Sequence, residues 1–193
     1  NKYQPQTMVD ITAAHNQALP DVINGMLLAG NIDGAEEMLK NYGSFELEKG
    51  NEKSRVSLNK NVENVLLKNI VAMRIDTSVF TQADTIATNS EYKATDGTLD
   101  LTKTTAFTKE LIGKDMQYYN SKTMKWDTVT LVNGETRKWT EDDVRNLNTE
   151  IKRRDAVLNE GLTAKREDIL KVLKKKIDED PTRKITSADT NGL

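Results

Sequence analysis

Two carboxylate clusters are the residues whose types and spacing come nearest to acid–base chemistry: Glu36 with Glu37, and Glu141 with Asp142 and Asp143. A pair of acids does such work when burial raises one pKa and leaves the other group ionised. Both clusters fall at the starts of apolar-periodic segments, where acids are favoured by the helix dipole alone. Asp33 and Glu36 also have the D-x-x-E spacing of a capping box, so capping accounts for these acids better than catalysis. His15, the one histidine, shares the i±4 row of Ile11 and Leu19, the place of a partly buried structural residue rather than a proton switch. Lys174, Lys175 and Lys176, with Lys171 and Arg166, offer charge for phosphates. Glu167, Asp168, Asp178, Glu179 and Asp180 nearly cancel that charge, and no aromatic is interleaved for base stacking; a solvated helix face accounts for the run.

The remaining chemistries are removed by what the chain lacks. No Gly-rich phosphate loop, dinucleotide fingerprint or G-x-S-x-G elbow is present. Asn31-Ile32-Asp33-Gly34 fails as a calcium loop because Ala29 would be its first ligand and Lys40 its last, and Asp96-Gly97 would need Tyr92 and Lys103. With no cysteine there are no disulfides, thiolate metal sites or cysteine nucleophiles, and one histidine argues against a multi-histidine metal site. No catalytic, cofactor-binding or metal residue is therefore assigned, and the expectation is a protein that is not an enzyme and carries no cofactor.

The elements that would position these residues belong to a chain of 193 residues with 28 basic and 30 acidic side chains, 36% hydrophobic and 5% aromatic. That charge balance provides no global field to draw nucleic acid or an anionic membrane. The densest apolar run, Val65 to Met73, is short and interrupted by Lys68 and Asn69, so no membrane span is expected. No secretory leader is recognisable, no Asn-x-Ser/Thr acceptor occurs, and the start at Asn1 points to a processed terminus or a piece of a longer polypeptide. The expectation is a soluble protein, and its localisation stays open beyond that.

Residues 7–43 read as a helical hairpin: one apolar stripe through Met8, Ile11 and Leu19, a second helix starting at Pro20, a break at Gly30-Asn31, and a helix ended by Gly43. Ser44 to Arg55 reads as a charged connector. Leu58, Val62, Leu66, Ile70 and Met73 mark a core helix over residues 54–74. Over 75–108, ten of 34 residues are threonine, which reads as an irregular crossing followed by a helix near Thr104 to Tyr118. Asn133-Gly134 between Trp126–Val132 and Glu135–Trp139 predicts a β-hairpin over 126–139, with the two tryptophans at its open end. Thr140 opens a second helical hairpin over 140–180 that turns at Gly161, and residues 181–193 read as a flexible tail or linker. The expected fold class is mainly α: a single domain over 1–180 of helical hairpins around a central amphipathic helix, with one small β-hairpin.

The stretch Ile23 to Tyr42, INGMLLAGNIDGAEEMLKNY, resembles one unit of a helical-hairpin repeat of the pentatricopeptide kind. No second copy follows, and stacked repeats need about three units to bury their faces, which argues for a single hairpin and not a solenoid. The short "AGNIDGAEEML" hairpins, the Thr/Asn-rich crossings and the "TVTLVNGETRKWTEDDVRNLN" ribbon-then-helix resemble, in style, internal or ejection proteins and other structural proteins of tailed bacteriophages. That resemblance implies an assembly protein contacting copies of itself or neighbouring virion proteins; the alternative is a helical ligand-binding or sensory module. Aromatic residues are scarce yet gather in one segment, so Trp126, Trp139, Tyr118 and Tyr119 are the candidate interface.

Overall fold

The computed structural model describes residues 7–49, 52–120, 122–179 and 186. The protein is mainly α, as expected, with five α-helices among the described residues and two two-stranded antiparallel sheets. The chain divides into two compact units: Asn1–Thr81 with Gly113–Trp139, and Gln82–Ile112 with Thr140–Leu193.

The first unit opens on helix α1 (Met8–Leu28), whose N-cap Thr7 and Asp10 form a reciprocal capping box. Pro20 lies inside this helix instead of starting another. Its ring removes one backbone hydrogen bond at a cost of about 3 kcal/mol. The buried row Leu19, Ile23 and Leu27, spaced four apart, offsets that cost by keeping one apolar face continuous. A turn at Gly30, with φ of 75°, leads to α2 (Ile32–Tyr42), giving the expected helical hairpin over 7–43. The N-cap of α2 is Asn31, whose side chain accepts from the Gly34 N–H at 3.0 Å, so Asp33 and Glu36 do not cap. Gly43 is the C-cap, where a Cβ would stand 2.5 Å from the Leu39 carbonyl oxygen; only glycine fits.

The segment read as a connector is instead a hairpin of β1 (Ser44–Lys49) and β2 (Glu52–Ser57), with Phe45 opposite Val56 and Leu47 opposite Ser54. Its charges sit across the strands, Lys53 Nζ lying 3.0 Å from Glu48. Helix α3 (Lys60–Thr88) begins later than the predicted 54–74 helix and runs through the first half of the predicted irregular crossing. Threonine and serine are tolerated there because hydroxyls bond back into the helix: Thr77 donates to the Met73 carbonyl and Ser78 to that of Arg74, both at 2.8 Å. Leu58, Leu66 and Ile70 join the buried rows of α1 and α2 as the core of this unit.

The last part of the first unit is a small β layer. Strands β3 (Gln117–Asn120) and β4 (Lys125–Thr128) pair with Tyr119 opposite Trp126, so the partner of Trp126 is not Trp139. The predicted Asn133-Gly134 turn forms, with Gly134 at φ of 85°, but only the Thr130–Thr136 bridge follows it. Residues 136–139 then swing across to 113–116: Met116 N–H donates to the Arg137 carbonyl at 2.8 Å and Trp139 N–H to that of Lys114 at 2.9 Å. Val129 N–H donates to the Met116 carbonyl at 2.9 Å, closing three short segments on one another. Met116 and Val129 are fully buried at this junction.

In the second unit, a 3₁₀ turn (Ser90–Tyr92) and a loop held by the Lys93–Leu99 bridge precede α4 (Leu101–Lys109), capped by Asp100. This helix ends well before Tyr118, contrary to the predicted 104–118 span. The predicted second helical hairpin is one helix, α5 (Glu141–Glu179), with Gly161 in its interior. At 39 residues it is about 58 Å long. Thr140 and Asp143 form its reciprocal cap, Asp143 Oδ2 accepting from the Thr140 N–H at 2.8 Å. Val144, Leu147 and Ile151 are buried along α5, and the α4 hydroxyl of Thr108 donates to Asn148 Oδ1 at 3.1 Å. Asp155 accepts from the Leu99 N–H at 2.7 Å, and Arg154 pairs with Asp84 and Glu150. The predicted tail, 181–193, lies outside the described residues save Thr186.

Candidate functional site

The β layer of the first unit has two chemically different faces, because successive residues of an extended chain point to opposite sides. Met116, Tyr118, Val129 and Trp139 are buried; Gln117, Tyr119, Trp126, Thr128 and Thr130 are exposed. The four sequence-predicted interface residues therefore separate. Trp139 is 5% and Tyr118 8% exposed, both packed within their own unit. Trp126 is 50% and Tyr119 40% exposed, and their rings meet edge to face with centroids 5.6 Å apart. Met124, in the turn joining the strands, is 70% exposed, and its sulfur accepts from the Tyr119 hydroxyl at 3.5 Å. Its backbone sits at φ of 56°, a left-handed conformation that L side chains adopt at a cost.

The other face meets α2 and α3 at a buried charge. Arg74 is 8% exposed, and its Nη2 donates to Asp33 Oδ1 at 2.8 Å and to Glu36 Oε2. The guanidinium carbon lies 3.9 Å from the centroid of the Tyr118 ring, so the cation is held by two carboxylates and an aromatic face together. Burial works against the Arg74 charge, but the hydrogen bonds it donates to Glu36 and Asp33 outweigh it and the guanidinium holds its proton more tightly than usual. Burial also pushes the Tyr118 phenol up, with Arg74 opposing. Beside this cluster Lys122 Nζ pairs with Glu37 and holds that carboxyl below its ordinary range.

A cavity of about 190 Å³ opens against the cluster, lined by Glu36, Arg74, Tyr118, Thr128 and Thr130 and by the apolar Leu67, Ile70, Val71, Leu131 and Val132. Arg74 carries the signal that sequence reading missed. It continues the i+4 row of Leu66 and Ile70, and a charge on a row of buried apolar residues must find partners.

The other candidates are placed as follows. Glu36 and Glu37 serve ion pairs, Asp143 a helix cap, and Asp142 an exposed pair with Arg145 at 2.9 Å. His15 packs edge-on against Phe45 with centroids 5.1 Å apart. Lys171 and Lys175 face Asp168 and Glu179 on an exposed stretch of α5. Among the described residues no group of three or more His, Asp or Glu is placed to hold a metal ion, and no helix is long and apolar enough to cross a membrane. Compared with known proteins, the chain matches no family model, no curated protein and no solved structure.

Proposed function

We propose that this protein is a non-enzymatic assembly protein that works through protein–protein contact, and that the outer face of the β layer joins it to a second copy of itself. The single observation behind this reading is the pairing of Trp126 and Tyr119, both about half exposed and meeting edge to face beside exposed Met124. Large aromatic side chains supply contact area at little entropic cost and dominate interface centres. Two exposed rings on a four-residue strand pair add little to the unit's own stability, so a contact role accounts for them better than packing. The stylistic resemblance to structural proteins of tailed bacteriophages makes a virion the proposed setting, with neighbouring virion proteins as further partners.

Light scattering behind size-exclusion chromatography over a concentration series tests the reading. The wild type is expected to run as a discrete oligomer, and Trp126→Ala to reduce it to monomer with an unchanged melting temperature. A wild type that stays monomeric at all concentrations overturns self-assembly. So does an oligomer that Trp126→Ala leaves intact.

A further inference from the structure

A groove between the first turns of α1 and the β2–α3 junction shares no residue with the β layer. It encloses about 720 Å³, within the size range of small-molecule sites, and its apolar wall is Met8, Val9 and Ala13 of α1 with Val62 of α3. The groove stays open because the buried row of α1, Leu19, Ile23 and Leu27, begins only halfway along the helix; Val9 is 77% exposed. Its inner end is polar and cross-linked. Asn16 Nδ2 donates to the Ser57 carbonyl at 3.2 Å, and Asn16 Oδ1 accepts from the Asn59 N–H at 2.6 Å, which fixes α1 to the start of α3. Arg55 is the one charged residue of the lining; neither acid of α1, Asp10 or Asp21, belongs to it. The Arg55 Nε donates to Ser44 Oγ at 2.6 Å, while Nη1 and Nη2 reach no protein acceptor among the described residues. Glu46, opposite Arg55 in the strand register, turns to Lys53 at 4.0 Å instead. Ser44 and Ser57 share one hydrogen bond at 2.9 Å, so one of their two hydroxyl hydrogens is also left for an outside acceptor.

We propose that this groove binds a medium-chain fatty acid, a single carboxylate on a straight apolar tail. A lone cation at the end of an uncharged apolar groove selects a ligand with one negative charge and an apolar body. The Nη1/Nη2 end of a guanidinium whose Nε is already bonded presents two parallel N–H donors, the fork that matches a planar carboxylate. The Ser44 bond holds that fork still, and the spare hydroxyl hydrogen of the Ser44–Ser57 pair adds a third donor. The tail runs from Asn16 back to Met8 along the apolar wall, which covers about 12 Å of α1, the length of an extended chain of about ten carbons. Affinity then comes from the tail and orientation from the head group. An inorganic anion would leave the wall bare, and a cationic amphiphile would oppose Arg55. A zwitterion would bring an ammonium for which the lining has no carboxylate.

The test is calorimetric and NMR titration of the full wild-type chain with octanoate, decanoate and dodecanoate below their micelle-forming concentrations. Decanol, decyltrimethylammonium and acetate are run in parallel. Saturable one-to-one binding is expected for the long carboxylates, tightening about twofold per added methylene up to about ten carbons and levelling beyond, as half-buried methylenes in a groove of fixed length predict. Decanol should bind about tenfold more weakly than decanoate, since it cannot make the charge-assisted bonds, and acetate should not saturate. Methyl resonances of Met8, Val9, Ala13 and Val62 should shift, and those of Trp126 should not. Arg55→Gln should weaken decanoate about tenfold and leave decanol unchanged; the side chain is exposed and its one hydrogen bond goes to Ser44, so the variant is expected to fold. No saturation by any carboxylate up to about 1 mM overturns the proposal. So does decanol or decyltrimethylammonium binding as tightly as decanoate, an unchanged decanoate affinity in the variant, or shifts confined to other parts of the molecule. The wild-type ligand series decides the matter without the variant having to fold.

Discussion

Replacing Arg74 with methionine removes the guanidinium and keeps most of the apolar stem, and its cost follows from the surroundings. Asp33, whose side chain is 15% exposed, loses a charge-assisted hydrogen bond at 2.8 Å. Such bonds contribute about 1.5–3 kcal/mol. The Glu36 side chain is 52% exposed and rehydrates, so its share is screened to roughly 0.5 kcal/mol. The Tyr118 ring loses a cation that is largely desolvated, another ~1–2 kcal/mol. Burial of the new methionine returns part of this, leaving a net loss of about 3 kcal/mol, at the lower end for breaking a buried ion pair. For a chain of this size the melting temperature should fall by roughly 6–12 °C. Both tryptophans, Trp126 and Trp139, belong to the first unit, so tryptophan fluorescence follows the unit that holds Arg74. A midpoint within about 2 °C of wild type would refute the reasoning, since it would mean that the cluster contributes no more than a surface pair. The triple variant Arg74→Met, Asp33→Asn, Glu36→Gln should recover part of the loss, because it leaves no carboxylate facing a missing partner.

Gly161→Ala should stabilise the protein by about 0.5–1 kcal/mol in urea unfolding followed by helical circular dichroism, since a Cβ there meets nothing within 4 Å and alanine is the better helix former; destabilisation would mean that α5 turns at Gly161. Lys122→Gln should return the Glu37 carboxyl to its ordinary range in an NMR titration, because the Lys122 hydrogen bond is the largest cause of its depression. As Glu37 has a folded pKa below its ordinary value, the Lys122 contact is complete above that ordinary value and is lost as pH falls through the depressed one; an unchanged Glu37 midpoint in the variant would contradict this. His15→Phe should raise the urea midpoint by an amount equivalent to about 1 kcal/mol, because His15 Nε2 is buried with no hydrogen-bond partner among the described residues while the edge-on contact with Phe45 is kept. A lower midpoint would count against that account.

Much of the helical architecture was legible in the residues, and the misses have physical causes. Periodicity and caps give the helical hairpin over 7–43, the stop at Gly43 and the Thr140 start of α5. Taken locally, Pro20 and Gly161 read as boundaries because each costs helix stability. Each lies inside a helix because the chain on both sides carries enough packing or propensity to span it. The threonine-rich second half of α3 reads as irregular, since threonine is a poor helix former; its buried residues Val79, Ala83 and Ile86 outweigh that preference. The alternation Phe45-Glu46-Leu47-Glu48 announced a strand, yet the charges around it suggested a connector.

The candidate site was less legible still. Trp126 and Tyr119 were named from composition, but which aromatics face outward depends on strand register: with Tyr119 opposite Trp126, Tyr118 turns inward to Arg74 and the 136–139 segment carries Trp139 into the interior. A one-residue slip would exchange those faces. By itself, then, the sequence determined what is closed within a few residues: helix-forming stretches, caps, tight glycine turns, and the lack of thiol or multi-histidine chemistry. Helix hydrogen bonds join residues four apart, so their pattern is written locally. Tertiary structure alone decided which strands pair, which ring covers Arg74, and that Asp33 and Glu36 serve a residue some forty positions away. Those choices rest on contacts between distant segments, whose stability depends on what each group buries in three dimensions rather than on its neighbours in the chain.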